Sequence, residues 1–465
     1  MSDLSSSTLM LAICLVWLVT IVYVARLCVR VPGQSAGLPA AFCFATTFLY
    51  LGAFTFAVPG YSHERLDAHF YLAGFGVGHE SIVRGAALTC AALISFAIGV
   101  RFMMGQALLN TTVSPRYVFS EPPFRLAMMI LFGLALLGVL IPISGIRFPL
   151  SQAIGSVGHN AILALICVGI YKARVNQSVI GKILFYTSAI ILPIYYLLVF
   201  GFVSHGFIAS IIILMFIVAS SSRQQWTYSR LFLATIIIGY ILASLCVLYF
   251  TSRDELRSVI WGGQSYGLRV TTLFDVLRDV EPLNPADFVS LDRINMRLSQ
   301  TAFVGRTIDW HAQYPELRQY GATLFLFVFA WVPRFLWPGK PSMGTSTVLE
   351  ENTGLTFSSG TTFGAGPIIE LYSNFGTSGV LVGFFLFGLI LAKMDLMAMS
   401  YLRAGFVLGF AKFFVVGVAL IAPLTDFFFF ANSMVIAWIV ITLLQASIFN
   451  NGRTRLFGSS YNRSF

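Results

Sequence analysis

The chain has 465 residues, of which 57% are hydrophobic and only 10% charged, whereas a soluble domain carries roughly 25% charged residues. Those proportions exclude a soluble globular protein. The formal charge of +10 raises nucleic acid or an anionic surface as partners, so the placement of the basic residues has to decide. Cys14, Cys28, Cys43, Cys90, Cys167 and Cys246 all fall in or at the edge of apolar stretches, which argues against a disulfide framework.

In chain order, apolar runs of spanning length occur at 8–29, 38–58, 82–104, 124–142, 156–171, 183–201, 203–220, 231–250, 376–397, 405–424 and 427–449, given that about 20 apolar residues cross a bilayer. The runs are continuous and rich in Leu, Ile and Phe, so they predict helices and not the alternating short segments of a barrel. The first run does not read as a cleavable signal, because Met1 to Ser7 has Asp3 and no positive charge. Pro142, Pro193 and Pro423 predict kinks or helix ends. The fold class is an all-α polytopic integral membrane protein of about 11–13 transmembrane helices.

Orientation follows from the Lys and Arg count by loop. With the N-terminus outside, fifteen fall on the inner side (from Arg26 and Arg30 to Arg455 and Arg463), and the short outer loops hold only Arg65, Arg84 and Arg147. The basic surplus is therefore mainly a topology signal, and no nucleic acid is expected. Ten further basic residues lie in 251–374 together with twelve of the 19 acidic ones. A connection of that length between membrane helices is functional or disordered, and Trp261, Tyr266, Phe274, Phe288, Phe303, Trp310, Tyr314 and Tyr320 oppose disorder. The chain divides into an eight-helix bundle at 1–250, an outer cap at 251–320 with short amphipathic helices near 267–280 and 287–300, a membrane-dipping or hairpin segment at 321–374, and C-terminal helices with a cytoplasmic tail at 375–465.

The apolar run 321–337 ends in Pro333-Arg334-Phe335-Leu336-Trp337-Pro338-Gly339-Lys340-Pro341, and a Gly, Ser and Thr tract leads on to Glu370-Leu371-Tyr372-Ser373-Asn374-Phe375-Gly376. An Arg retained at the edge of the bilayer suits an anionic headgroup, although snorkelling cations and helix-ending prolines explain the same residues. Gly339-Lys340 is not a Walker loop, because Pro341 follows the Lys and the upstream Gly is missing.

The Pro-Arg-x-x-Trp-Pro-x-Lys-Pro element of 333–341, followed by Glu370-x-Tyr372-x-Asn374-Phe375-Gly376-x-x-Gly379, resembles the bacterial O-antigen and oligosaccharide repeat-unit polymerases of the Wzy type. The motif covers only 333–379, while the arrangement of about a dozen helices with one large outer loop extends over the whole chain. The resemblance implies a GT-C-like membrane glycosyltransferase in the bacterial inner membrane. Its reaction would be transfer of a glycan from one undecaprenyl diphosphate carrier to the non-reducing end of another lipid-linked repeat unit, on the periplasmic face. The implied partners are the lipid-linked oligosaccharide as donor and acceptor, the bilayer, and a separate chain-length regulator.

That chemistry needs cations for a diphosphate leaving group and a base for the acceptor hydroxyl. Arg334, Lys340 and Arg306 lead for the diphosphate, with Arg253, Arg257, Arg269 and Arg293 in the same block and Tyr372 and Asn374 as further substrate contacts. Enough guanidinium forks would remove the need for a metal, so no metal or other cofactor is expected. Glu370 leads as base, then Asp309 and His311; a solvated salt bridge is the competing explanation for each acid. Glu64 and Asp67, in the loop His63-Glu64-Arg65-Leu66-Asp67, are weaker candidates. His311 followed by Gly321 partly resembles the O-antigen ligase pattern, but Ala312 replaces its polar residue. Ligation and glycan transport are the alternative readings, and the concentration of charge outside the spans opposes transport.

Overall fold

The computed structural model describes residues 2–30, 33–61, 77–109, 122–144, 151–201, 203–221, 227–278, 283–329, 332, 336–337, 345–357 and 364–449. The described residues form helices and no strands. They are α1 (Ser2–Val29), α2 (Leu38–Leu49), α3 (Gly52–Thr55), α4 (His79–Leu109), α5 (Pro122–Ser144), α6 (Ser151–Val175), α7 (Val179–Phe200), α8 (Val203–Ala219) and α9 (Tyr228–Trp261). There follow α10 (Tyr266–Arg278), α11 (Phe288–Leu298), α12 (Gln300–Gln313), a 3₁₀ turn at Pro315–Leu317, α13 (Ala322–Phe329), α14 (Thr345–Thr353), α15 (Gly366–Arg403), α16 (Val407–Ala419) and α17 (Phe427–Phe449).

Eight of these helices are long and apolar enough to cross a membrane, and three shorter apolar helices, Leu38–Leu49, Ser204–Ala219 and Val407–Ala419, occupy the remaining runs. The chain is a multi-pass, all-helical membrane protein. The 38–58 run is not one helix: α2 stops at Leu49 and a single turn, α3, follows from Gly52. Apolarity sets the length of a run but not whether the backbone within it stays helical.

The centre of the bundle is the pair α4 and α15, joined where Gly99 meets the Phe385 carbonyl and Gly388 meets the Phe96 carbonyl. Any side chain at either glycine would collide with backbone, so the absence of a Cβ is what lets the helices approach. A similar pair seats the cap: Gly85 of α4 lies against the Thr301 carbonyl and Gly305 of α12 against the Ser81 carbonyl. All six cysteines are buried free thiols.

α9 has 34 residues and rises about 51 Å, well beyond the ~30 Å hydrocarbon core, so its end projects into the cap. There it carries α10 and α11, which form within about two residues of the expected cap helices. Asp287 starts α11 by accepting from Val289 N–H at 3.1 Å and Ser290 N–H at 3.2 Å. Tyr61, after α3, donates to Asp292 of α11 at 2.7 Å and ties the cap to the bundle. α13, with eight residues, rises only about 12 Å and cannot cross by itself. The Trp337 ring packs edge-on to that of Phe329, with centroids 6.4 Å apart.

Candidate functional site

α15 carries the site. Its first ten residues are one half-helix, Gly376 then takes φ 65° and ψ −156°, and a second helical stretch continues to Arg403. That backbone region is essentially open only to glycine. The break places the positive end of a new helix dipole at Thr377. The first half-helix is almost wholly buried, from Gly366 to Asn374, because α12, α14 and α13 pack around it.

Two backbone ties pin the segment after α12 onto the half-helix. Gln319 N–H donates to the Ser373 carbonyl at 3.1 Å, and Gly321 N–H donates to Asn374 Oδ1 at 2.7 Å. Asn374 Nδ2 in turn donates to Thr323 Oγ1 and to the Glu370 carbonyl, each at 2.7 Å. The Asn374 carboxamide is thereby committed to holding α13 against α15, which makes it a positioning residue.

These ties bring Arg318 to the break. Its Nη1 lies 3.2 Å from where a Gly376 Cβ would stand, and its Nε is buried without a hydrogen-bond partner. Arg318 acts electrostatically on both Tyr372 and His311, whose rings are 6.3 Å apart. Arg318 was not among the sequence candidates. It sits in the polar stretch Pro315-Glu316-Leu317-Arg318-Gln319, which has no motif, and only the fold brings it beside Gly376.

The three base candidates separate by surroundings. Asp309 is engaged by Arg84 of α4 at 2.8 Å and by the Ser81 hydroxyl, so it serves as a clasp between α12 and α4. Glu370 is 1% exposed; Phe427 N–H donates to its Oε2 at 2.7 Å, and Thr323 and Asp426 are its other neighbours. It secures the start of α17, where Asp426 also accepts from Phe429 N–H at 2.9 Å. His311 is buried, with Nε2 3.2 Å from Asn352 Oδ1, and Asn352 Nδ2 is occupied by the Val348 carbonyl. An Asn oxygen only accepts, so this contact fixes Nε2 as the protonated nitrogen and leaves the Nδ1 lone pair without a hydrogen bond. Burial holds the His311 pKa below its ordinary value, the Asn352 contact opposes this, and Arg318 adds to the lowering. The ring is neutral at pH 7 and able to accept a proton.

The remaining cations fall into separate places. Arg306 donates through Nε to the Thr353 carbonyl at 3.0 Å, closing the C-terminal end of α14, and covers Trp310, which sits where Gly354 has no side chain. Arg253, Arg269 and Arg293 surround the projecting end of α9. Arg269 donates to the carbonyls of Gln264 at 3.0 Å and Leu198 at 3.1 Å, Arg293 donates to Thr251 at 2.9 Å, and Arg253 is 3.9 Å from Asp254. Arg257 covers the Trp261 ring at 4.6 Å. None of these hydrogen bonds or ion pairs joins the His311, Tyr372 and Arg318 group. Arg334, Lys340, Glu64 and Asp67 lie outside the described residues.

Polar residues within the spans are taken up by packing: His159 Nδ1 contacts the Gly155 carbonyl at 2.7 Å and Lys412 Nζ lies 3.7 Å from the Trp438 ring centroid. Among the described residues, no group of three or more His, Cys, Asp or Glu is placed to hold a metal ion. The arrangement at the break can hold an anion on Arg318 and the helix end, with a neutral imidazole behind Tyr372. No protein-family model, curated protein or solved structure matches the chain.

Proposed function

We propose that the chain is a polymerase of undecaprenyl-diphosphate-linked oligosaccharide units in the bacterial inner membrane, with its site on the periplasmic face. The observation that carries this reading is the broken α15: a guanidinium and a helix end meet at Gly376, on a helix long and apolar enough to cross a membrane. A lipid diphosphate would place its charge at this break while its tail stays in the bilayer.

In the reaction the acceptor hydroxyl oxygen bonds to the anomeric carbon as the bond from that carbon to the diphosphate oxygen breaks. The electron pair leaves with the carrier diphosphate, where Arg318 takes up the developing charge. The hydroxyl proton passes to a base. His311 fits this role best, being neutral, oriented by Asn352 and without a hydrogen bond at its buried Nδ1. Tyr372, whose ring is 6.3 Å from that of His311 and which feels the charge of Arg318, positions the acceptor. Arg334 and Lys340 remain candidates on sequence grounds for the second phosphate, and the cations supply charge that a divalent metal supplies elsewhere.

Deleting the gene in its host and resolving surface polysaccharide by size tests the reading. Loss of long chains with retention of a single-unit species is expected. An unchanged ladder overturns it, and loss of the single-unit species as well points to ligation or transport.

A further inference from the structure

At the end of the bundle away from the cap, α1 packs against α4 and against α9, and a groove of about 590 Å³ opens between the three helices. That volume is in the range of ligand pockets. Its walls are apolar, with Val19, Ile94, Ile98 and Phe232 facing it. One end is different. Arg101 lines the groove and donates to the Tyr23 hydroxyl at 3.1 Å, and Arg26 lies 5.7 Å over the ring of Tyr228, which lines it too.

These arginines lack carboxylate neighbours in sequence on the three helices. No Asp or Glu occurs in 7–30, 90–109 or 227–253, and Arg30 and Arg230 add two more positive charges at the same helix ends. The Tyr23 hydroxyl uses one of the five donors of the Arg101 guanidinium, and that side chain is exposed. An apolar cleft ending in cations with no acid on its walls is complementary to a ligand that has long hydrocarbon chains and one anionic group.

We propose that this groove binds an anionic glycerophospholipid, with acyl chains along the α1, α4 and α9 walls and the phosphate beside Arg26 and Arg101. The inner leaflet, where the distribution of Lys and Arg puts this end, is the leaflet whose anionic lipids attract such residues. The site is separate from the break in α15 and does not depend on the proposed reaction.

Native mass spectrometry of the purified chain tests the proposal, with phosphatidylglycerol or phosphatidylcholine of the same acyl chains supplied at equal concentration. The wild type is expected to retain phosphatidylglycerol at least about 5-fold more than phosphatidylcholine. The double variant Arg26→Gln, Arg101→Gln is expected to retain both equally at an unchanged thermal midpoint. Equal retention by the wild type, or an undiminished preference in the folded double variant, overturns the site. A photoreactive phosphatidylglycerol on the wild type gives an answer independent of any variant: crosslinks on peptides bearing Tyr23, Ile98 or Tyr228 support it, and crosslinks confined to other helices refute it.

Discussion

The two halves of α15 each bury a carboxylate that accepts from the start of another helix, and only one of them has an open neighbour. Near the far end Asp395 is fully buried and accepts from Leu38 N–H at 2.8 Å, beside Ser35, whose hydroxyl takes the Gly37 amide at 3.0 Å. It closes the N-terminal end of the short helix α2 and has no cation described against it. At the cap end Glu370 likewise receives the Phe427 amide, yet six residues on the helix breaks at Gly376 beside Arg318. A buried acid in a membrane helix is a functional candidate by default. Here both acids receive helix-start amides while Glu370 Oε1 and Asp395 Oδ2 keep no hydrogen bond, and the broken backbone with its adjacent cation distinguishes the end at which the reaction is proposed.

Changes that sharpen this contrast differ in size. Arg318→Ala should remove polymer while the protein stays in the membrane, a loss of roughly 10²–10³ in rate as for other removed charge-stabilising donors, and Arg318→Lys should recover part of it. Normal polymer in Arg318→Ala would erase the distinction. Asp395→Ala should act through stability alone, costing about 1–3 kcal/mol from the buried Leu38 amide left without its acceptor; a lowered melting midpoint in detergent with turnover per folded molecule unchanged is the expected pattern. Gly376→Ala should cost about 1–3 kcal/mol because alanine resists this backbone region, and its Cβ would press on Arg318, so both stability and turnover should fall.

A smaller effect is expected with pH. The folded His311 pKa lies below its ordinary 6.5. Above pH 6.5 the ring is neutral in folded and unfolded chains alike. As pH falls below 6.5 the unfolded chain takes a proton that the folded chain resists, so stability decreases toward the folded pKa. Polymer yield should hold from pH 8 past 6.5 and decline only as pH falls toward the folded His311 pKa below it, and in His311→Gln the acid-side decline in stability should become shallower. Arg293→Ala, at the projecting end of α9, should have the least effect on yield. A loss as large as that of Arg318→Ala would move the site there.

Much of the helical plan was legible because spanning helices must be long and apolar. All eleven apolar runs correspond to helices, and the cap helices follow from their own amphipathic pattern. The interruption of α2 at Leu49 was not legible, since Leu51 to Val58 is as apolar as what precedes it. Nor was the early start of α15: residues 366–375 include Glu370, Ser373 and Asn374, and their burial depends on α12 and α14 arriving from elsewhere in the chain. The site was legible in part. Glu370, Tyr372, Asn374, His311 and Asp309 stood out by type and motif, but their individual surroundings come from partners such as Phe427, Asn352 and Arg84, tens or hundreds of residues away. Arg318 had no local signal, because what makes it a candidate is a glycine 58 positions later in the chain.

Reconstitution tests the central claim most directly. Wild type and Arg318→Ala would each be placed in liposomes with one defined undecaprenyl-diphosphate-linked repeat unit, and the products resolved by size. Multi-unit lipid-linked glycan from the wild type and only the single unit from Arg318→Ala is the predicted result. Multi-unit product at the wild-type level from Arg318→Ala, or none from a folded wild type, would contradict it.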